Sequence, residues 1–343
     1  MVEHEAEPAV SLKSHGNPQR QCRSSTAGAM ATATASPDKM GSDLIQASGP
    51  RTVAELARLL EAGAPVNWKS PSLNGRTSLM AAAGQGNEEG VRLLVEAGAD
   101  LEAEDEDGWT ALIAAAHFGK VDAMRLLLDF GANIEAKDRN GWTPLIVAAH
   151  HGKLGAVRLL LDRGANMEVK ENAGWTALFT AVCFGHIDAL RELLDRGADI
   201  EAKDNSGCTA LVSCSGDGAV EIMRLLLERG ADVEAESNDG MTPLLVATCF
   251  CQMDAIRLLL EYGANLEAKG SGGRTALLIA AADDRMELVR LLLSNGASLE
   301  ARDINGWDAY AQCGGNQRTM ELLDESECIQ RWIRRRRLVA WRA

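Results

Sequence analysis

Aromatic side chains are scarce in this chain: Phe, Tyr and Trp together make up 4% of its 343 residues. The 46% hydrophobic content therefore rests on aliphatic residues, enough for one long core without dividing the chain into several domains. No apolar run approaches the roughly 18 residues that a membrane-spanning helix needs. The opening MVEHEAEPAV is acidic and lacks the apolar stretch of a secretory signal. Eight cysteines in so long a chain do not make the disulfide framework of a small scaffold; Cys183, Cys214 and Cys249 fall on helical positions as small thiols. These absences point to a reducing, intracellular setting, cytoplasmic unless a targeting segment takes the chain to the nucleus. Catalytic chemistry is missing as well. There is no Gly-rich phosphate loop, no nucleophile beside a base and no cluster at metal-ligand spacing, so the sequence argues against an enzyme, a cofactor or a metal site.

What is present is repetition. Gly75, Gly108, Gly141, Gly174, Gly207, Gly240, Gly273 and Gly306 stand 33 residues apart without a slip. Gly98, Gly131, Gly164, Gly197, Gly230, Gly263 and Gly296 keep the same step. A fixed period of this length denotes a stacked array. Within one unit, Thr110 (like Thr143, Thr176, Thr209, Thr242 and Thr275) is placed to cap a first helix. Pro144 and Pro243 follow two of these caps, where proline costs a helix least. Leu112, Ile113, Ala115 and Ala116 make a two-turn first helix, and Gly119 turns the chain. Val121, Met124, Leu127 and Leu128 lie on one face of a second helix that Gly131 closes. Asn133 to Asn140 is polar and turn-rich, suited to a short hairpin. One helix pair cannot bury enough apolar surface against itself; stacking buries both faces on neighbours.

Gly141-Trp142-Thr143-Pro144-Leu145 and Leu160-Leu161-Asp162-Arg163-Gly164-Ala165 resemble the ankyrin repeat family, in period, in helix–turn–helix order and in motif. The resemblance implies an all-α repeat solenoid: stacked 33-residue helix–turn–helix units with short β-hairpin fingers. It runs over 75–305 as seven full repeats, numbered here from Gly75. Residues 1–42, rich in Ala, Ser, Thr and Pro, read as a disordered N-terminal tail. Residues 43–74 read as an N-terminal capping repeat whose first helix is Leu44 to Ala47. Residues 306–330 read as a degenerate C-terminal cap, and 331–343 as a basic tail. The family's usual hairpin asparagine is replaced by Glu102, Glu135, Glu168, Glu201, Glu234, Glu267 and Glu300, leaving Asn67 in register.

Charge is uneven. The chain carries −14 in total, but the tail carries +6 and residues 1–42 are neutral, leaving −20 on 43–330. So acidic a body repels nucleic acid and anionic lipid. Along the second helices, Arg92, Arg125, Arg158, Arg191, Arg224, Arg257 and Arg290 each have acids three or four residues away, the signature of a solvated outer face. The tail itself, QRWIRRRRLVAWRA, sets Arg331, Arg334, Arg335, Arg336 and Arg337 among apolar residues. It reads as a nuclear import or nucleic-acid patch, as a basic amphipathic segment for a membrane surface, or as a frayed end.

The resemblance also implies where a partner binds: on the concave face, at the residue after the repeat glycine and at the end of the first helix. Those positions hold Trp109, His117 and Phe118; Trp142, His150 and His151; Trp175, Cys183 and Phe184; and, further on, Met241, Cys249 and Phe250. The few aromatics of the chain collect there. The expected function is a protein-binding scaffold or adaptor, monomeric, with a protein partner gripped by a strip of Trp109, Trp142, Trp175, Phe118 and Phe184. Packing of each indole on the adjacent hairpin is the structural alternative. His150 and His151 would make binding sensitive to pH near neutrality.

Overall fold

Threonine sets the start of each repeat. The hydroxyls of Thr77, Thr110, Thr143, Thr176, Thr209 and Thr242 accept the backbone N–H three residues on, at 3.2–3.4 Å. Thr275, expected to do the same, is buried but makes no such bond. In this computed structural model, which describes residues 36–327, the helices run in pairs. They are α1 (Pro37–Gln46) with α2 (Val53–Glu61), α3 (Ser78–Gln85) with α4 (Glu88–Glu96), and α5 (Ala111–His117) with α6 (Val121–Asp129). Then follow α7 (Pro144–His150) with α8 (Leu154–Asp162), α9 (Ala177–Cys183) with α10 (Ile187–Asp195), and α11 (Ala210–Asp217) with α12 (Val220–Glu228). The series closes with α13 (Pro243–Cys249) and α14 (Met253–Glu261), α15 (Ala276–Ala282) and α16 (Met286–Ser294), and α17 (Ala309–Gln312) before a last helix across 317–327. First helices pack on first helices and second on second, which leaves one core running from Leu44 to Leu323. Alanine lets the first helices approach: Ala114, Ala115 and Ala116, like Ala148 and Ala149, are buried. Each second helix ends as expected, with Gly131 at positive φ and Ala132 N–H bonding back to Leu127 C=O at 2.9 Å. No helix among the described residues is long and apolar enough to cross a membrane.

The fingers between repeats are single turns rather than ladders. Asp138 N–H donates to Trp142 C=O at 3.1 Å, and Gly141 N–H to Asp138 C=O at 2.9 Å. The N–H groups of Asn140 and Trp142, which a longer hairpin would use, are taken by the Asp138 carboxylate at 2.8 Å each. No strand forms among the described residues, and the longer first finger makes one isolated antiparallel bridge, Ser70 to Arg76.

Successive fingers are bolted together by three sets of bonds that recur at the repeat step. The hairpin glutamates each take the N–H of a residue in the next repeat: Glu102 from Asn133, Glu135 from Asn166, Glu168 from Asp199, Glu201 from Asp232, Glu234 from Asn265 and Glu267 from Ser298, at 2.7–2.9 Å. Asn67 does the same for Asp100 at 2.8 Å. The lysines two residues on from these glutamates do not pair with them. Lys170 and Lys203 instead donate to the backbone carbonyls of Lys203 and Glu236, at 2.7 and 2.9 Å. Finger backbones also meet directly, as when Arg139 N–H bonds Asp107 C=O at 3.0 Å.

Two sequence expectations shift. The first helix of the N-terminal cap starts at Pro37, not Leu44, because Ser36 caps it and Pro37 occupies its first position; residues 37–42 thus belong to the cap and not to the tail. Trp68 holds it from the first finger, its indole N–H donating to Asp38 at 3.0 Å. On the second helices, ion pairs run between repeats as well as along one helix, where Arg58 and Glu55 of α2 meet at 2.6 Å. Arg163 meets Asp129 at 2.9 Å, Arg196 meets Asp162 at 2.8 Å and Arg229 meets Asp195 at 2.7 Å, whereas the intrahelical Arg92 and Glu89 stand 4.0 Å apart. The expected disordered segment up to residue 35, and the tail from 331 with its arginines, lie outside the described residues.

Candidate functional site

The last turn of each first helix sets two side chains on a common edge, and stacking joins them by a diagonal rule. The second of the pair in one repeat lies against the first of the pair in the repeat before. His151 meets His117 with ring centroids 4.0 Å apart, and Phe184 meets His150 at 3.9 Å. Where the earlier residue is glycine the ring settles over bare backbone. A Cβ on Gly84 would stand 3.2 Å from the Phe118 ring, and one on Gly216 3.3 Å from that of Phe250. Asp217 and Asp283 fill the corresponding positions of repeats five and seven.

Indoles join from the finger side. Trp109 packs on His117 at 5.0 Å and Trp142 on His150 at 4.8 Å. The result is one connected cluster over repeats two to four: Trp109, His117, Phe118, His151, His150, Trp142 and Phe184. Its indoles are half-buried against the core, while Phe118 and Phe184 keep 46% and 45% of their surface exposed. Trp175 stands apart from this cluster. Repeat four carries Cys183 where its predecessors carry histidine, and the indole leans instead on Phe179 of its own repeat at 5.3 Å. Met241 is half-buried, and Phe250 is 64% exposed two repeats further on. The structure therefore brings together two of the three expected tryptophans, and the histidines bridge them.

One indole also contacts the next finger. Asp138 lies partly buried beneath Trp109; burial raises its carboxyl above the usual range, against the backbone N–H groups of Trp142 and Asn140 and the hydrogen bond from the Trp109 side chain. Trp109 is thus anchored on the next finger.

The imidazoles act as neutral surface. Burial, and then the neighbouring His117, His150, Lys153 and His186, push His151 down to about 4. Burial, His186 and His117 lower His150 as well. His150 Nδ1 and His151 Nε2 are 3.2 Å apart, and His186 Nε2 donates to His150 C=O at 2.8 Å. Burial thus favours the neutral form of both rings. The thiol beside them is inert for a similar reason: burial pushes Cys183 up to about 11.

No group of three or more His, Cys, Asp or Glu among the described residues is arranged to hold a metal ion. On the opposite, second-helix side, a groove of about 480 Å³ lies between α14 and α16, lined by Met253, Asp254, Arg257, Glu287, Arg290 and Leu291. Its charges alternate in sign and converge on no point. What sequence reading missed was Gly84 and Gly216, the seats for Phe118 and Phe250. Glycine inside a helix, where it costs about 1 kcal/mol against alanine, was their signal.

The sequence model of the family described as Ankyrin repeats (3 copies) matches residues 44–138, 131–204, 202–270 and 216–303. Among solved structures, the ankyrin repeat domain of Bcl-3, titled a unique member of the IkappaB protein family, is similar at 31% identity and a TM-score of 0.59. The match covers 64% of this chain and 99% of that domain. No curated protein matches the chain.

Proposed function

This chain belongs to the ankyrin repeat family, whose repeats are protein–protein interaction modules, and on that premise we propose that it is a non-enzymatic adaptor gripping a protein partner with the face centred on Trp142. The observation that carries this reading is the connected aromatic and imidazole cluster over repeats two to four, half-open to solvent in a chain with 4% aromatics. Rigid rings bring apolar contact at low entropic cost, since each has few torsions to freeze. They are held from behind by their own diagonal contacts, so little ordering remains to be done when a partner arrives. Glu106 and Asp107, exposed on the finger beside Trp109, favour a partner segment with basic residues among its apolar ones. Trp175, Met241 and Phe250 extend the same line of positions toward the C-terminus, as separate points of contact. The protein acts as a monomer, inside the cell.

The test is Trp142→Ala in the full chain, once affinity capture and mass spectrometry have supplied a partner. Binding should weaken by about 2 kcal/mol, roughly 30-fold, as for an interface anchor, with little change in melting temperature. A variant that melts many degrees lower yet binds its partner normally would show the indole to be finger packing alone.

A further inference from the structure

Among the described residues, the last finger is left with an exposed apolar edge. In the middle of the array the repeat glycine lies beneath the following finger. A Cβ on Gly108 would stand 2.9 Å from Arg139 N, and one on Gly174 2.7 Å from Asn205 N. These glycines are buried, with φ near +82° and +89°. Gly306 has the same conformation, but no described residue lies within 4 Å of where its Cβ would be, and it is exposed. Trp307, whose counterparts Trp109, Trp142 and Trp175 are half-buried, is 54% exposed. At the finger tip the earlier repeats carry Leu73, Glu106, Arg139, Asn172, Asn205, Asn238 and Ser271; the last carries Ile304, 78% exposed against 50% for Leu73. Of the two aliphatic tips, Ile304 is the more exposed, and no described finger follows it.

We propose that the chain's own segment 328–343 docks on this edge and covers Ile304 and Trp307 as a ninth finger would. Three observations select that occupant. The segment supplies the matching apolar surface, with Trp332, Ile333, Leu338, Val339 and Trp341. Its charge is complementary. It carries six arginines and no acid, whereas 303–327 carries Asp303, Asp308, Glu321, Asp324, Glu325 and Glu327 against Arg318 alone. Its departure point is adjacent, too. Tyr310 Oη donates to Asp324 at 3.1 Å and to Glu327 at 3.4 Å, tying the end of the last helix to the start of α17, three residues beyond Trp307. Sixteen residues reach about 50 Å when extended, several times the ~10 Å step of the stack, so the span is no obstacle.

A photo-crosslinking amino acid placed at Trp341 in the full chain tests this, with an equal mixture of light and heavy isotope-labelled protein to separate contacts within one chain from contacts between copies. Crosslinks within one chain to 303–320 are expected, and they should fade in high salt, which screens exposed charge. Ile304→Asp changes a surface residue, so the array should melt unchanged. Removing that apolar contact should lower crosslinking about tenfold. Replacing Arg334, Arg335, Arg336 and Arg337 together by Gln should lower it from the other side. Crosslinks only between copies would overturn the proposal in favour of end-to-end pairing. So would a tail that reaches no part of 303–320 in the protein alone and crosslinks only to added DNA or phosphatidylserine vesicles, for then its arginines serve an anionic partner. A tail that crosslinks to nothing overturns it as well.

Discussion

Lowering the pH should loosen repeats two to four before the rest of the array, and His151 is the residue through which to see it. Its folded-state value of about 4 lies below the 6.5 of an unperturbed imidazole. The unfolded chain therefore takes up the proton first as pH falls. The stability concerned is complete above 6.5 and drains away between 6.5 and 4, where the unfolded state binds more protons than the folded one. At 1.36 kcal/mol per unit the full difference would approach ~3 kcal/mol, and contact with solvent on the open side reduces it to about 1–2 kcal/mol. Geometry gives the same sign. With His150 Nδ1 and His151 Nε2 at 3.2 Å, one ring donates and the other accepts, and a proton on the acceptor sets N–H against N–H. The assay is urea unfolding of wild type and His151→Gln at steps from about pH 7.5 to about pH 4.5, with hydrogen exchange in 111–162 as the local readout. The variant should be the weaker protein at neutral pH, having lost a ring contact, and should close that gap or reverse it in acid. A constant offset across the whole range would refute the reasoning, because the imidazole would then not be held neutral by its surroundings.

Other perturbations are independent of the histidines. Cys251 and Asp284 occupy turn positions that are glycine in earlier repeats, at φ 57° and 54°. Cys251→Gly should stabilise the protein by about 1 kcal/mol by relieving a left-handed conformation, measured as a higher urea midpoint. Asp284→Gly should not, because the Asp284 carboxylate accepts hydrogen bonds from Asn316 and Thr319 and holds the last helix; exchange in 317–327 should rise instead. Glu168→Ala removes one clasp on Asp199 N–H and should cost about 1 kcal/mol. Glu168→Gln keeps the accepting oxygen and should cost less. The separate losses at Glu102 and Glu234, four repeats apart, should add within about 0.5 kcal/mol in the double variant.

The sequence made the period, the threonine caps and the glycine closures legible because each depends on residues close together in the chain. A cap needs a hydroxyl and an N–H three positions away, and Thr110 with Ile113 satisfies that on paper. The cluster was legible as a set of positions but not as a set of contacts. Which rings meet depends on the offset between stacked helices, and that offset pairs residue 150 with 184 and 117 with 151 rather than aligning the tryptophans with one another. The partners of the hairpin glutamates were hidden for the same reason. As letters they form a row of like charges, and only the stacked geometry gives each one an N–H to accept, 31 residues on. The early start of α1 was missed because Ala-, Ser- and Pro-rich composition was weighed above the Ser36-Pro37 cap.

Comparing the repeats with one another separates support from recognition. Positions that stay constant from repeat to repeat are those whose side chains close a local or cross-repeat bond. Threonine holds the first helix, glutamate clasps the next finger, and glycine admits the next backbone. The positions at the end of the first helix change at every step: Gly84 and Gln85, His117 and Phe118, His150 and His151, Cys183 and Phe184, Gly216 and Asp217, Cys249 and Phe250. The residue after the repeat glycine changes too, running Arg76, Trp109, Trp142, Trp175, Cys208, Met241 and Arg274. If these side chains served the stack, one solution would suffice and would recur, since every interior repeat presents the same backbone to its neighbours. Instead large rings gather over three adjacent repeats, give way to Cys208, Gly216 and Asp217 in repeat five, and return as Phe250 in repeat six. Under the proposed function, the partner accounts for this uneven chemistry on an even scaffold. That places Trp142, midway along the cluster, under different constraints from Thr143 beside it: replacing the threonine should weaken the fold, and replacing the tryptophan should weaken the grip.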